Sequence, residues 1–145
     1  IQGNSFLDVG SGAGIPSIPL AVVSAELQVY SVDSRRKKIQ FQLLAKHKLD
    51  IKNFFPIHSR VEQYPSTEKF DTLACRAFAS LEKFVASSIE LCSPSGRLLA
   101  MKGVYPAEEL EQLNSDLVDV VAVHEVRIPG RDSTHRHLVE MKPVN

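Results

Sequence analysis

The 145-residue sequence lacks several features that mark whole classes of proteins. It contains no tryptophan and only two cysteines, and its 17 basic residues balance 17 acidic ones. Zero net charge argues against a polybasic, indiscriminate nucleic-acid binder, and two cysteines are too few for a disulfide scaffold. Because no apolar run approaches the ~20 residues that cross a bilayer, we expect no membrane partner. We expect both cysteines to be reduced thiols and the protein to be cytoplasmic.

Repeats, low-complexity segments and linkers are also missing, which favours a single domain over residues 1–145. Strand patterns occur at 5–9, 28–33, 54–59, 70–76, 97–102, 117–128 and 137–142. Helices are predicted to begin near Pro16, to run from an N-cap at Ser34 to about His47 with Ile39, Leu43 and Leu44 at helical spacing, and to cover 81–91 and 106–113. The segment Pro-Ser-Gly at 94–96 is predicted as a turn.

Strands that alternate with helical patterns predict a mostly parallel α/β sheet of the Rossmann-like kind. The last two strands have no helix between them, which predicts a carboxy-terminal antiparallel hairpin. Since the sequence begins at Ile1 and the first strand follows almost at once, we expect it to be part of a longer polypeptide.

Three of the seven glycines lie at positions 10, 12 and 14, between the first strand and the first helix. In an α/β sheet this turn faces the ligand crevice, although a plain tight turn explains such a run equally simply. Asp33 ends the second strand 19 residues after Gly14, near the spacing at which a carboxylate binds an adenosine ribose. Dinucleotide enzymes use G-x-G-x-x-G, whereas Ile15 follows the third glycine here, and Asp8 precedes the first. The spacing favours S-adenosylmethionine (AdoMet) over NAD, which stays a minor alternative.

Six blocks together resemble a known family: DVGSGAGIPSIPLA, VDSRRKKIQF, SRVEQYP, FDTLACRAFASL, LLAMKG and RHLVEMK. They are similar to the small-subunit (16S) ribosomal RNA guanine-N7 methyltransferase family, also called the glucose-inhibited division protein B family. The resemblance implies a class I AdoMet-dependent methyltransferase whose partner is ribosomal RNA or the small ribosomal subunit. Family members carry a helical segment ahead of the first block that is not in this sequence. A non-catalytic AdoMet or nucleotide sensor is the alternative function.

Site residues are carried over from the resemblance position by position. Arg76 corresponds to an arginine of the family's active-site pocket and is the candidate catalytic residue. Lys102 and Arg136 match basic positions that face cofactor or RNA, and Arg35 and Arg36 are further RNA-binding candidates. The expected cofactor-binding residues are Asp8, Gly10, Gly12, Gly14, Ile15, Asp33, Val61, Glu62 and Arg76.

The residue types agree with this chemistry. Enzymes that methylate exocyclic amines usually carry an (Asp/Asn)-Pro-Pro-aromatic motif after the fourth strand, and this sequence has Cys-Arg-Ala-Phe there. A pyrimidine C5 enzyme needs a thiolate nucleophile; Arg76 beside Cys75 could lower the pKa of this thiol, but we expect Cys75 to be a small packed strand residue and not a nucleophile. Guanine N7 already carries a lone pair, so alignment and water exclusion suffice. His135 and His137 alternate on a strand, but no third ligand accompanies them, and we expect no metal.

Charge is separated along the chain despite its zero total. Residues 34–60 contain eight cations and one acid, a balance of +7, whereas residues 103–126 contain six acids and no lysine or arginine. Phosphate contacts dominate nucleic-acid affinity, so the basic segment suits an RNA partner as well as it suits an ordinary solvated face.

Overall fold

The computed structural model describes residues 1–64, 67–76, 78–127, 129–130 and 135–144. Within them, seven strands form one sheet in the order β3-β2-β1-β4-β5-β7-β6. The strands are β1 Ser5–Val9, β2 Gln28–Asp33, β3 Phe54–His58, β4 Phe70–Arg76, β5 Cys92–Lys102, β6 Val118–Arg127 and β7 His135–Pro143. The helices are α1 Ser17–Val23, α2 Arg36–Lys48, α3 Leu81–Ser88 and α4 Ala107–Glu111, with short 3-10 turns at Val61–Gln63 and Ile89–Leu91.

The first five strands run parallel, and β7 enters antiparallel between β5 and β6. This confirms the mostly parallel sheet with an antiparallel hairpin at the carboxy-terminal end. The predicted strands at 5–9, 28–33 and 70–76 have the observed bounds. Ile128, the last residue of the predicted sixth strand, lies outside the described residues. No helix in the described part of the chain is both long enough and apolar enough to span a membrane.

Strand alternation gives the sheet two buried faces. In β1, Phe6 packs in a cluster with residues of α1, β2 and β3, whereas Leu7 packs in a larger cluster with α3, β5 and β7. Because successive side chains of a strand point to opposite faces, every residue of β1 from Phe6 to Val9 is covered. The sheet is therefore rigid at its centre, where β1 ends and the glycine turn begins.

Three local predictions are wrong. The N-cap of α2 is Arg35, not Ser34. The Arg35 N–H donates to the Asp33 carboxylate, so the helix begins one residue later than predicted. The segment at 94–96 is not a turn; it lies inside β5, where the register with β4 jumps from Phe70–Cys92 to Thr72–Arg97 and absorbs the extra residues as a bulge. The helix predicted over 81–91 stops at Ser88 and tightens into the 3-10 turn.

The buried side of α2 also differs from the expected one. Leu43 and Leu44, predicted at core spacing with Ile39, are 47% and 52% exposed. Ile39 and Gln42 are the buried residues of this helix. A polar side chain therefore occupies the position that faces the sheet.

Candidate AdoMet and RNA sites

The glycine turn is held by the main chain of the neighbouring strand. Gly10 N and Ser11 N both donate to Val32 O, at 2.9 and 3.1 Å, and Gly14 N donates to Ser11 O at 2.9 Å. Gly14 has a φ of +83°, and a Cβ placed there would come within 2.6 Å of Ile18 Cδ1. Only glycine fits such a position, so the turn keeps a bare backbone at the carboxyl edge of the sheet.

Gly12 links the turn to Asp33. The Gly12 N–H donates to Asp33 Oδ2 at 2.8 Å, and Arg35 N donates to Asp33 Oδ1 at 2.8 Å. Burial acts to raise the pKa of Asp33, but the hydrogen bonds from Arg35 and Gly12 prevail and lower it. The carboxylate is therefore an ionised group that orders the turn as well as a candidate ligand of the ribose.

A cavity of about 160 Å³ opens beside this carboxylate. Four predicted residues meet there: Gly10, Asp33, Val61 and Glu62. The other five predicted residues are not part of its lining, and Ile15 is 49% exposed; these five are Asp8, Gly12, Gly14, Ile15 and Arg76. The cavity also contains residues that the sequence did not single out, namely Val9, Val32, Ser34, Ser59, Arg60 and Phe78.

Phe78 is the most informative of these additions. A Cβ at Gly10 would lie 3.6 Å from its ring, and the ring packs against Phe84 of α3 with centroids 5.9 Å apart. An aromatic face beside a bare backbone and a ribose carboxylate suits an adenosine group. The sequence signal for this residue was the aromatic side chain that follows Cys-Arg-Ala after the fourth strand.

Asp8 lies under the same turn and is completely buried. Its Oδ2 accepts a hydrogen bond from the Ser17 hydroxyl, while Oδ1 has no partner among the described residues. Burial raises the pKa of Asp8 to about 6, against the opposing effects of Ser17 and of the positive charge of Arg76. A buried carboxylate with a free oxygen fits a cationic group such as the AdoMet ammonium.

A second, larger cleft of about 650 Å³ brings together the basic candidates Arg76, Lys102 and Arg136. Strand register connects it to the glycine turn: Val9 pairs with Cys75, so Gly10 and Arg76 leave the sheet side by side. Arg76 in turn pairs with Met101 on β5, and Lys102 pairs with His137 on β7. The remaining lining residues are Met101, Gly103, Val126, His137 and Leu138.

Lys102 has a partner within the protein. Its Nζ donates to both carboxylate oxygens of Glu109, at 3.0 and 2.7 Å, and only 13% of its side chain is exposed. The Leu81 N–H at the start of α3 donates to the same carboxylate at 2.7 Å. Lys102 thus joins β5, α3 and α4, and its charge is already compensated at the cleft.

Arg35 and Arg36 lie outside both cavities, at the start of α2, and both are exposed. Arg35 Nε lies 3.3 Å from Asp33 Oδ1, and 67% of its side chain is exposed. Cations at a helix N-terminus oppose the helix dipole, so their presence is not explained by helix stability.

Cys75 is buried, and His135 and His137 contact different partners. Burial raises the pKa of Cys75 to about 12, the reverse of the effect that a neighbouring arginine would have, so it is not the nucleophile that a pyrimidine C5 enzyme requires. His135 Nδ1 lies 2.8 Å from Glu125 Oε1, while His137 Nδ1 lies 3.4 Å from Gly103 O. The described residues contain no cluster of three or more metal-binding side chains.

The sheet order, the glycine turn and the acidic β2 end define a class I AdoMet-dependent methyltransferase fold. Solved structures agree on the fold. An Aquifex aeolicus SAM-dependent methyltransferase is 21% identical with a TM-score of 0.79, covering 99% of this chain and 84% of the other. The 16S rRNA (adenine(1408)-N(1))-methyltransferase W203A mutant from Catenulisporales acidiphilia, solved with SAM, is 13% identical with a TM-score of 0.80, covering 98% and 85%.

Sequence comparison identifies the family. Residues 1–139 match the family model described as GidB, rRNA small subunit methyltransferase G. The ribosomal RNA small subunit methyltransferase G of Nitrosococcus oceani is 41% identical, covering 99% of this chain and 66% of the relative. That of Klebsiella pneumoniae is 40% identical, covering 99% and 68%. The chain belongs to this family and spans about two thirds of these relatives' length.

Family membership confirms the resemblance inferred from the sequence. It also confirms the enzyme class, an AdoMet-dependent methyltransferase, and excludes the NAD-binding alternative. The roles of the individual site residues stay predictions.

Proposed function

We propose that this chain is the catalytic domain of an enzyme that transfers a methyl group from AdoMet to N7 of a guanine in small-subunit ribosomal RNA. The carrying observation is that two cavities open near each other at the carboxyl edge of the sheet, since Gly10 of one and Arg76 of the other follow the paired residues Val9 and Cys75. One is built around the glycine turn and Asp33, and the other is lined by cations without a carboxylate among its described lining residues. An RNA substrate also fits the predicted cytoplasmic location.

The residues divide the work between the two cavities. Asp8, Asp33 and the backbone of the turn would hold AdoMet, which supplies an activated methyl group on its sulfonium when bound. Arg76 and Arg136 would orient guanine or a neighbouring phosphate, because a guanidinium presents a fork of donors to such groups. Met101 and Leu138 add apolar surface to the same cleft.

The chemistry at N7 explains why this cleft needs no general base. With AdoMet bound, a bond from the N7 lone pair to the methyl carbon would replace the bond from sulfur to that carbon; S-adenosylhomocysteine would leave with the electron pair, and the 7-methylguanine would carry the positive charge without loss of a proton. Catalysis is then mainly alignment of nitrogen, methyl carbon and sulfur. A cleft lined by Arg76 and Arg136 therefore suits this reaction better than methylation of an exocyclic amine, which must lose a proton.

The test is a measurement of 7-methylguanosine in small-subunit ribosomal RNA from cells without the gene. Nuclease digestion and mass spectrometry should show its loss, and complementation with the wild-type gene should restore it. An Arg76→Ala gene should restore less. Unchanged 7-methylguanosine in the deletion strain would contradict the proposal. AdoMet binding by the full-length protein without transfer to ribosomal RNA or small subunits would instead indicate a sensor.

A further inference from the structure

Gln42 occupies an unusual place for a polar residue. It lies in the middle of α2, has no exposed surface, and is one of two buried residues of that helix. Glutamine is rarely this buried unless the donors and the acceptor of its amide all have hydrogen-bond partners. Its side chain reaches past the sheet-facing side of the helix to the glycine turn.

All polar groups of this amide have partners. Gln42 Nε2 donates to Gly12 O at 2.7 Å and to Ser11 Oγ at 2.8 Å. Its Oε1 accepts from Ser31 Oγ at 2.5 Å. The three partners fix the orientation of the amide, since a flipped amide would place Oε1 against the Gly12 carbonyl.

These bonds hold the peptide groups that define the turn. Gly12 is fixed at both ends, by Asp33 at its N–H and by Gln42 at its carbonyl. The Gln42 stem also packs below Gly14, where an added Cβ would lie 3.2 Å from its Cγ. Gln42 thus contacts Gly12 and Gly14, and none of these three residues is part of the cavity lining, which includes Gly10 of the same turn.

We propose that Gln42 is a positioning residue that preorganises the glycine turn for AdoMet. It does not line the AdoMet cavity, so its effect on affinity arises from keeping the turn in its binding shape before the ligand arrives. The inference rests on AdoMet binding at this turn. Sequence reasoning missed it because a glutamine in a basic helix reads as a surface residue.

Asn53 offers a matched control at the opposite edge of the sheet. Its Nδ2 donates to the carbonyls of Ala21, Ser24 and Leu27, at 3.2, 2.9 and 2.8 Å. Both residues are therefore carboxamides that donate hydrogen bonds to backbone carbonyls of a connection: Gln42 to the one between β1 and α1, and Asn53 to the one between α1 and β2. Of these two residues, Gln42 is the one that bonds to the glycine turn at which we propose that AdoMet binds.

The experiment compares Gln42→Met with Asn53→Leu in the full-length enzyme. Both variants leave carbonyls without a donor, so both should lower the melting temperature. Calorimetry should show AdoMet binding at least about tenfold weaker in Gln42→Met, and within twofold of wild type in Asn53→Leu. The KM for AdoMet should rise in Gln42→Met while kcat stays within about threefold, because the lost effect is on binding alone.

Hydrogen exchange of the ligand-free protein separates this proposal from the proposed function. The Gly12 and Gly14 amides should exchange faster in Gln42→Met, whether or not the enzyme methylates RNA. If Gln42→Met does not fold, Gln42→Glu replaces it, since it keeps the acceptor for Ser31 and loses the donors to the turn. Unchanged AdoMet affinity in the folded variant, or an equal loss in Asn53→Leu, would overturn the proposal.

Discussion

Two aspartates on neighbouring strands show how the two edges of this sheet differ. Asp71, near the start of β4, accepts hydrogen bonds from Asn4 N, Ser5 N and Ser5 Oγ at 2.9 to 3.1 Å. Burial acts to raise its pKa, but these bonds prevail and lower it. Asp8, near the end of β1, has one oxygen without a partner among the described residues, and burial raises its pKa to about 6.

The difference teaches that Asp71, at the amino edge, is satisfied by its own chain, whereas Asp8, at the carboxyl edge, has an oxygen without a partner among the described residues. Buried polar groups without partners cost free energy. A protein can retain a buried polar group without a partner where a bound ligand supplies that partner.

The largest effect is expected from Asp8→Asn. Loss of the carboxylate should weaken AdoMet binding by about 2–3 kcal/mol, since hydrogen bonds to charged groups contribute that much. The ligand-free protein should become more stable at pH 7, because no buried charge remains. Asp71→Asn should do the opposite, with stability lower by about 1 kcal/mol and affinity unchanged. Calorimetry and thermal unfolding of both variants measure this crossover; parallel losses in the two variants would argue against it.

Asp33→Ala should weaken AdoMet binding by about 1–3 kcal/mol. The variant loses the candidate ribose ligand and the acceptor that holds Gly12 N. Calorimetry with AdoMet measures the loss, and titration with NAD serves as a specificity control. Wild-type affinity in the variant would refute the role of Asp33.

The pH dependence of AdoMet binding should follow Asp8. Its carboxylate must be ionised to bind a cation, so affinity should fall about tenfold for each pH unit below a pKa of about 6. Asp8→Asn should lose this dependence, which calorimetry between pH 5 and 8 would detect. Asp33 has a lowered pKa and stays ionised over that range.

Asp8 should also change stability with pH in a defined direction. Its folded pKa lies above the ordinary 3.8, so the folded state binds the proton more tightly than the unfolded state. Stability should fall by about 3 kcal/mol in total as pH rises from well below 4 to well above 6. The difference in unfolding free energy between wild type and Asp8→Asn isolates this contribution. A difference that is constant over the range would contradict it.

The smallest effect is expected from Cys75→Ala. The thiol is buried between β1 and β5 and has a pKa of about 12, so it takes no part in transfer. AdoMet affinity and methylation rate should stay within about twofold of wild type, with stability lower by about 1 kcal/mol. A methylation assay with full-length protein measures the rate. A loss of methyl transfer in Cys75→Ala with normal AdoMet affinity would contradict this prediction and would indicate that Cys75 acts as a nucleophile.

Sequence patterns were sufficient for features that depend on neighbouring residues. Strands β1, β2 and β4 follow from short apolar segments bounded by turn signals, and the glycine turn follows from its spacing. Gln42 and the Lys102–Glu109 contact could not be predicted, because they depend on which helix side faces the sheet and on how α4 returns to β5. Leu43 and Leu44 led to the wrong side of α2 for the same reason.

The most direct test of the difference between the two edges is an NMR titration of ¹⁵N-labelled protein with AdoMet. The amides of Gly10, Gly12, Gly14, Ser34 and Val61 should shift most. Those of Ser5, Gln28 and Asp71, at the amino edge, should move little. Shifts that are largest at the amino edge, or equal at both edges, would contradict the assignment of AdoMet to the carboxyl edge.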